Sequence, residues 1–186
     1  LYTYSEESKE ADFVASDIRY VSQPDFVGTE FHISGKYDME VRLGIPGLFN
    51  VVNALAAVSV CSFLGLDQAR ISHALENIRV NGRMEIVYTS ERCTVLVDYA
   101  HNAVSMESLL STLRDYKPKR LVCVFGCGGN RSKDRRYSMG EIGGKMADLS
   151  IITADNSRYE KVEDIIADIR GSIEKTGGKF IEIPDR

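Results

Sequence analysis

From Thr94 to Ile183 short apolar runs alternate with segments whose apolar residues recur every three or four positions. The runs Thr94–Asp98, Leu121–Phe125, Leu149–Thr153 and Lys179–Ile183 read as strands. Between them, Met106, Leu109, Leu110 and Leu113 share one helical face, a further helix ends before Ala147, and Val162, Ile165, Ile166, Ile169 and Ile173 keep the i, i+3, i+4, i+7 spacing. Near-continuous apolar strands separated by amphipathic helices are the pattern of a parallel sheet covered on both faces and joined by right-handed crossovers. The expected fold class is therefore α/β, and this half is expected to be Rossmann-like.

The preceding half follows another pattern. Phe31 and Ile33 alternate opposite Met39, Val41 and Leu43 across Gly35-Lys36-Tyr37-Asp38, which predicts a hairpin. After Pro46-Gly47 an apolar run from Val51 to Leu64 closes at Gly65, and Asp67 is placed to cap a second helix through Ile71, Leu75 and Ile78. The pattern breaks at Gly82, and a domain boundary is expected near residue 81. A net charge of -4 argues against nucleic acid and against an anionic membrane surface, which need a basic face. No apolar stretch approaches the ~18 residues of a membrane span. Cys61, Cys93, Cys123 and Cys127 lack the paired spacing of a zinc site or a disulfide framework and read as reduced, cytoplasmic thiols. The chain begins without methionine and stops just after a strand, so it reads as a piece of something longer.

Two polar runs carry the chemistry: Gly126-Cys127-Gly128-Gly129-Asn130-Arg131 and Asp155-Asn156-Ser157-Arg158, each directly after an apolar strand. Ligands of open parallel sheets lie beyond the carboxyl ends of the strands, so successive loops there can face one small polar molecule, and two arginines favour one with carboxylates. Neither nucleotide signature fits. A dinucleotide loop starting at Gly126 needs glycine where Arg131 stands, and a P-loop ending in Gly144-Lys145 needs Gly at Met139 and Ser or Thr at Met146. Gly143-Gly144 is read instead as a close-packing point within a helix.

The chain resembles the Mur ligases of peptidoglycan synthesis, and within them the tripeptide synthetases that add the third amino acid. The likeness rests on Pro46-Gly47-Leu48-Phe49-Asn50-Val51-Val52-Asn53-Ala54-Leu55-Ala56-Ala57, Gly82-Arg83-Met84-Glu85, Asp98-Tyr99-Ala100-His101 and the two loops, in that order. It implies that residues 1–81 end a central ATP-binding domain and 82–186 form most of a Rossmann-like C-terminal domain. It also implies an ATP-dependent ligase in which an acyl phosphate on the D-glutamate of a UDP-N-acetylmuramoyl dipeptide is attacked by an amine. By position in the family, Asn53, Arg83, Asp98 and His101 would border ATP. Arg131, Asp155, Asn156, Ser157 and Arg158 would bind the incoming amino acid, with Ser157 standing where the family motif has proline. The P-loop, the carbamylated lysine, the magnesium ligands and the N-terminal UDP-binding domain of the family would precede this stretch. The fragment alone is thus expected to be inactive, with no catalytic or metal-binding residue of its own, in a cytoplasmic and monomeric enzyme.

A guanidinium offers a bidentate fork to a carboxylate, while an acid and an amide can orient an ammonium group. meso-Diaminopimelate carries both groups at its distal end and lysine only the amine, so Arg158 favours diaminopimelate. A lysine-adding or folylpolyglutamate-type ligase and a non-catalytic binding module remain as alternatives. Plainer readings stand beside these. Asp155 and Asn156 would also suit an Asx turn and helix cap. His32 and His73 read as surface or packing residues, Cys127 as a small residue in a tight loop, and Arg135 with Arg136 as a solvated charge cluster.

Overall fold

The hairpin expected from Phe31, Ile33, Met39, Val41 and Leu43 is present in the computed structural model, which describes residues 1–23 and 25–186. Strands β1 (Tyr4–Ser5), β2 (Phe13–Gln23), β3 (Phe26–Gly35) and β4 (Met39–Leu43) form a sheet in that order. Phe31 pairs with Val41 and Ile33 with Met39. Strand β2 is longer than its sequence suggests because a register shift between Ser16 and Arg19 interrupts the alternation, with Asp17 in the left-handed region at φ 54°. Helix α1 (Leu48–Phe63) ends before Gly65, whose φ is 74°, a conformation that glycine adopts without steric cost. Asp67 caps α2 (Gln68–Asn77) by accepting from the Arg70 amide at 3.0 Å. Phe13, Phe31, Leu43, Val51, Leu55 and Ile71 meet in one core.

The chain divides into two compact units, Leu1–Tyr99 and Ala100–Arg186. The hairpin of β5 (Glu85–Thr89) and β6 (Thr94–Val97) lies between that division and the change of pattern near residue 81. Here the structure departs from the sequence reading. Strand β6 pairs antiparallel with β5, across a turn closed by the Ser90 amide on the Cys93 carbonyl at 2.9 Å, and does not extend the parallel sheet among the described residues. A short connection between two strands favours their antiparallel pairing, which needs no crossover.

The second unit contains α3 (Ala103–Asp115), β7 (Val122–Phe125), α4 (Asp134–Met146), β8 (Leu149–Thr153), α5 (Val162–Thr176) and β9 (Phe180–Ile183). Strands β7, β8 and β9 are parallel and lie side by side in that order. Helices α4 and α5 cover one face, where Ile152, Ile166 and Ile169 are buried with Met139. On the other face Val122, Val124, Ile181 and Ile183 are exposed, so among the described residues the double cover expected from apolar strands is not seen. Gly143 sits where an added Cβ would meet the Phe125 ring at 3.0 Å, and Gly144 where one would meet the Ile173 Cα at 3.2 Å. That pair is a close-packing point, as its sequence context suggests.

Candidate functional site

Strands β7 and β8 are adjacent and parallel, so their carboxyl-terminal loops emerge side by side. The loops are knitted by their backbones. The Gly129 amide donates to the Asn156 carbonyl at 2.8 Å, and the Tyr159 amide donates to Asn130 Oδ1 at 3.2 Å. Arg158 donates through Nη1 to the Gly129 carbonyl. A side chain at Gly129 would strike the Ser157 carbonyl, and one at Gly126 the Thr153 carbonyl, so the loop approaches its neighbour too closely for any other residue. Asn130 and Arg158 both hold a φ of 51°, a left-handed conformation that costs a non-glycine residue about 1–2 kcal/mol. Arg131, Asp155, Asn156 and Arg158 are exposed, Ser157 is half-buried, and Asp155 lies 3.9 Å from Arg186. The five residues read as an amino-acid site therefore share one corner of the sheet. Helix α5 begins beyond them and Lys161 occupies its cap position without a side-chain bond, so Asp155 and Asn156 are not helix caps.

Behind the loops sits a group the sequence reading misassigned. Arg136 is not part of a solvated cluster: it is 1% exposed. Its Nη2 donates to both carboxylate oxygens of Glu160, at 2.7 and 2.8 Å, and its Nη1 donates to Asp168 at 2.9 Å. Glu160 also accepts from the Asn130 amide. The bond from Arg136, then that from Asn130, holds the Glu160 carboxyl below its ordinary range. Burial alone would raise Asp168, but hydrogen bonds from Arg136 and Lys133 outweigh it and the net direction is down. The signal was available in spacing, because Arg136, Met139, Gly140 and Gly143 form the i, i+3, i+4, i+7 buried stripe of α4. Cys127 is buried beside Met139, and burial pushes its thiol up to about 11. It is a packing residue.

The residues read as bordering a nucleotide divide between the units. Asn53 is exposed on α1 and donates to Asn50 Oδ1 at 3.2 Å. Arg83 lies over the Tyr99 ring, 4.6 Å from its centroid, and the intervening Met84 amide donates to Asp98 at 2.8 Å. His101, in the second unit, is exposed just before Asn102, which caps α3 in a reciprocal box with Ser105. No three His, Cys, Asp or Glu side chains converge on a possible metal site among the described residues. None of the described helices is long and apolar enough to cross a membrane.

The sequence profile described as "Mur ligase, glutamate ligase domain" matches residues 82–186. The UDP-N-acetylmuramoyl-L-alanyl-D-glutamate--2,6-diaminopimelate ligase of Caldanaerobacter subterraneus subsp. tengcongensis is 44% identical over 147 residues, covering 79% of this chain and 30% of the relative. The ligase of the same name from Clostridioides difficile is 38% identical over 186 residues, covering 100% of this chain and 38% of the relative. A solved structure with that ligase name superposes over 100% of this chain and 37% of its own length, with a TM-score of 0.72 and 32% identity. The folylpolyglutamate synthase of Thermotoga maritima has a TM-score of 0.74 at 23% identity over 94% of this chain and 40% of its own, a likeness of fold alone. The chain thus spans between 30% and 38% of the length of these curated relatives. Matched by that profile over residues 82–186, the chain belongs to the Mur ligase family.

Proposed function

We propose that this chain is part of an ATP-dependent ligase that joins meso-diaminopimelate to UDP-N-acetylmuramoyl-L-alanyl-D-glutamate through an acyl phosphate. The names of its relatives support the reaction. The observation that carries the amino-acid assignment is the junction of two arginine-bearing loops at the carboxyl ends of β7 and β8, bridged by Arg158 on the Gly129 carbonyl. One guanidinium nitrogen fixes the side chain to the neighbouring loop. Arg158 remains exposed, so the rest of the fork is available to the distal carboxylate of diaminopimelate, with Arg131 adding positive charge and Asp155 and Asn156 facing its ammonium group. Lysine would leave that fork unpaired, the kind of loss that gives strong discrimination between near-isosteres. Ser157 in place of proline relaxes the loop's φ restraint without removing a recognition group.

In this reading residues 1–81 close the central ATP-binding domain and 82–186 belong to the C-terminal domain. Asn53, Arg83, Asp98 and His101 border the nucleotide. The sequence contains no P-loop, so the activating chemistry and its magnesium belong to the remainder of the enzyme, a cytoplasmic monomer. The test is ATP-dependent incorporation of meso-diaminopimelate against L-lysine by the complete ligase and its Arg158→Ala variant. The wild type should prefer diaminopimelate, and the variant should lose about 100-fold or more of that preference, as expected when one partner of a charged pair is removed. Equal or better use of lysine by the wild type would overturn the assignment.

A further inference from the structure

We propose that Arg136 and Glu160 form a clasp that holds the two recognition loops in binding register, making both of them positioning residues for the incoming amino acid. This rests on the assignment of residues 155–158 as the amino-acid loop. Glu160 lies two residues beyond Arg158, outside the motif, and binds both loops at once: it accepts from the Asn130 amide of the first loop and carries the end of the second. Asn130 returns the connection through Oδ1 to the Tyr159 amide at 3.2 Å. The Glu160 amide in turn donates to the Ser157 carbonyl at 3.0 Å, closing a turn around Arg158. The anchor for all of this is a guanidinium held by two carboxylates on the buried face of α4.

Stability alone is a poor reason for such an anchor. Arg136 Nε is buried without a hydrogen-bond partner among the described residues. Desolvating charges is costly, and apolar side chains in place of a whole buried ion cluster are often neutral or stabilising for a core. What apolar residues cannot do is hold the Glu160 carboxylate by both its oxygens, as Nη2 of Arg136 does while Nη1 holds Asp168. That carboxylate sets where the Asn130 amide sits, and Asn130 and Arg158 both occupy left-handed conformations that need an external hold. Without the clasp the loops relax, and Arg158 loses the geometry that presents its fork.

Two variants separate positioning from support of the core: Arg136→Met, which fills the same space, and Glu160→Ala, which removes the bracket at a half-buried site. In the 186-residue chain, hydrogen exchange at the amides of Gly129, Asn130 and Tyr159 should accelerate in both variants about tenfold or more beyond any change at the Leu110 and Ile169 amides of the core. In the complete ligase the KM for diaminopimelate should rise about tenfold or more, with the KM for ATP within about twofold of wild type. Unchanged loop exchange, equal acceleration throughout the unit, or parallel rises in both KM values would overturn the proposal. If the wild-type ligase does not use diaminopimelate, the amino-acid assignment fails with it, whereas the exchange experiment still decides whether the clasp exists.

Discussion

Arg136 and Cys127 show how burial gives two chemically active residue types quiet roles. The arginine stays charged because two carboxylates replace its water. The thiol has no such partner, and desolvation pushes it up to about 11, with Arg136 opposing only in part. At pH 8 about one Cys127 in a thousand is then a thiolate, and thiolate is the reactive form. Cys123 is raised to about 11 by the same cause, whereas Cys93 is exposed. Under limiting iodoacetamide at pH 8, peptide mapping should find Cys93 alkylated first, with Cys123 and Cys127 modified only on unfolding. Alkylation of Cys127 at the rate of Cys93 in folded protein would point to an activated thiol in the glycine loop. In the sequence a cysteine between glycines reads as a small residue in a tight loop, but nothing local fixes its burial. What decides it is the third dimension, which places Met139 3.8 Å from the sulfur.

At the scale of elements, glycine has opposite consequences on neighbouring helices. Gly140 faces α5, and a Cβ there would lie 2.6 Å from the Ile169 carbonyl oxygen and 3.0 Å from the Ser172 Cβ. Gly171 lies within α5 with nothing within 4 Å of such an atom. Gly140→Ala should therefore destabilise by about 1–3 kcal/mol, the usual cost of overpacking. Gly171→Ala should stabilise by roughly 0.5–1 kcal/mol through helix propensity and a less flexible unfolded chain. Urea midpoints of the two variants check both signs, and a stabilised Gly140→Ala would mean that α4 and α5 can separate at little cost. The helices themselves were legible, since the isoleucine stripe of α5 and the Asp67 cap of α2 are local signals. Strand partnership was not. Thr94–Val97 is as apolar as a parallel core strand, and its pairing with β5 depends on the short turn joining them. The two loops of the candidate site were legible, whereas the burial of Arg136 was missed because a charged residue on a helical stripe is ordinarily solvated, and its partner Glu160 because it follows the motif.

For the whole chain, the distribution of depressed carboxyls predicts which unit yields first to acid. In the second unit, hydrogen bonds hold four below their ordinary range: Glu141 with Lys145, Asp148 with Arg114 and the Leu121 amide, Glu160 with Arg136 and the Asn130 amide, and Asp168 through Arg136 and Lys133 against its desolvation. In the first unit, Asp12 is depressed by its bonds from Thr3. A carboxyl whose folded value is lowered contributes stability that is fully present above its unfolded value, about 4 for Asp and Glu, and is lost as pH falls through the folded value. The second unit should therefore lose stability more steeply below about pH 4, while neither unit changes much from this source between pH 5 and 8. Cys61 reports on the first core and Cys127 on the second. Pulse-labelling with an acid-active disulfide reagent, at fixed mild urea and a series of pH values, should expose Cys127 before Cys61 as pH falls. Glu160→Gln should expose Cys127 at higher pH and with a shallower pH dependence, because the neutral side chain lacks the carboxylate's contribution at every pH and has no proton to gain. Simultaneous exposure of both cysteines at every pH would show instead that the two cores unfold as one cooperative body, with their carboxyl networks sharing a single acid transition.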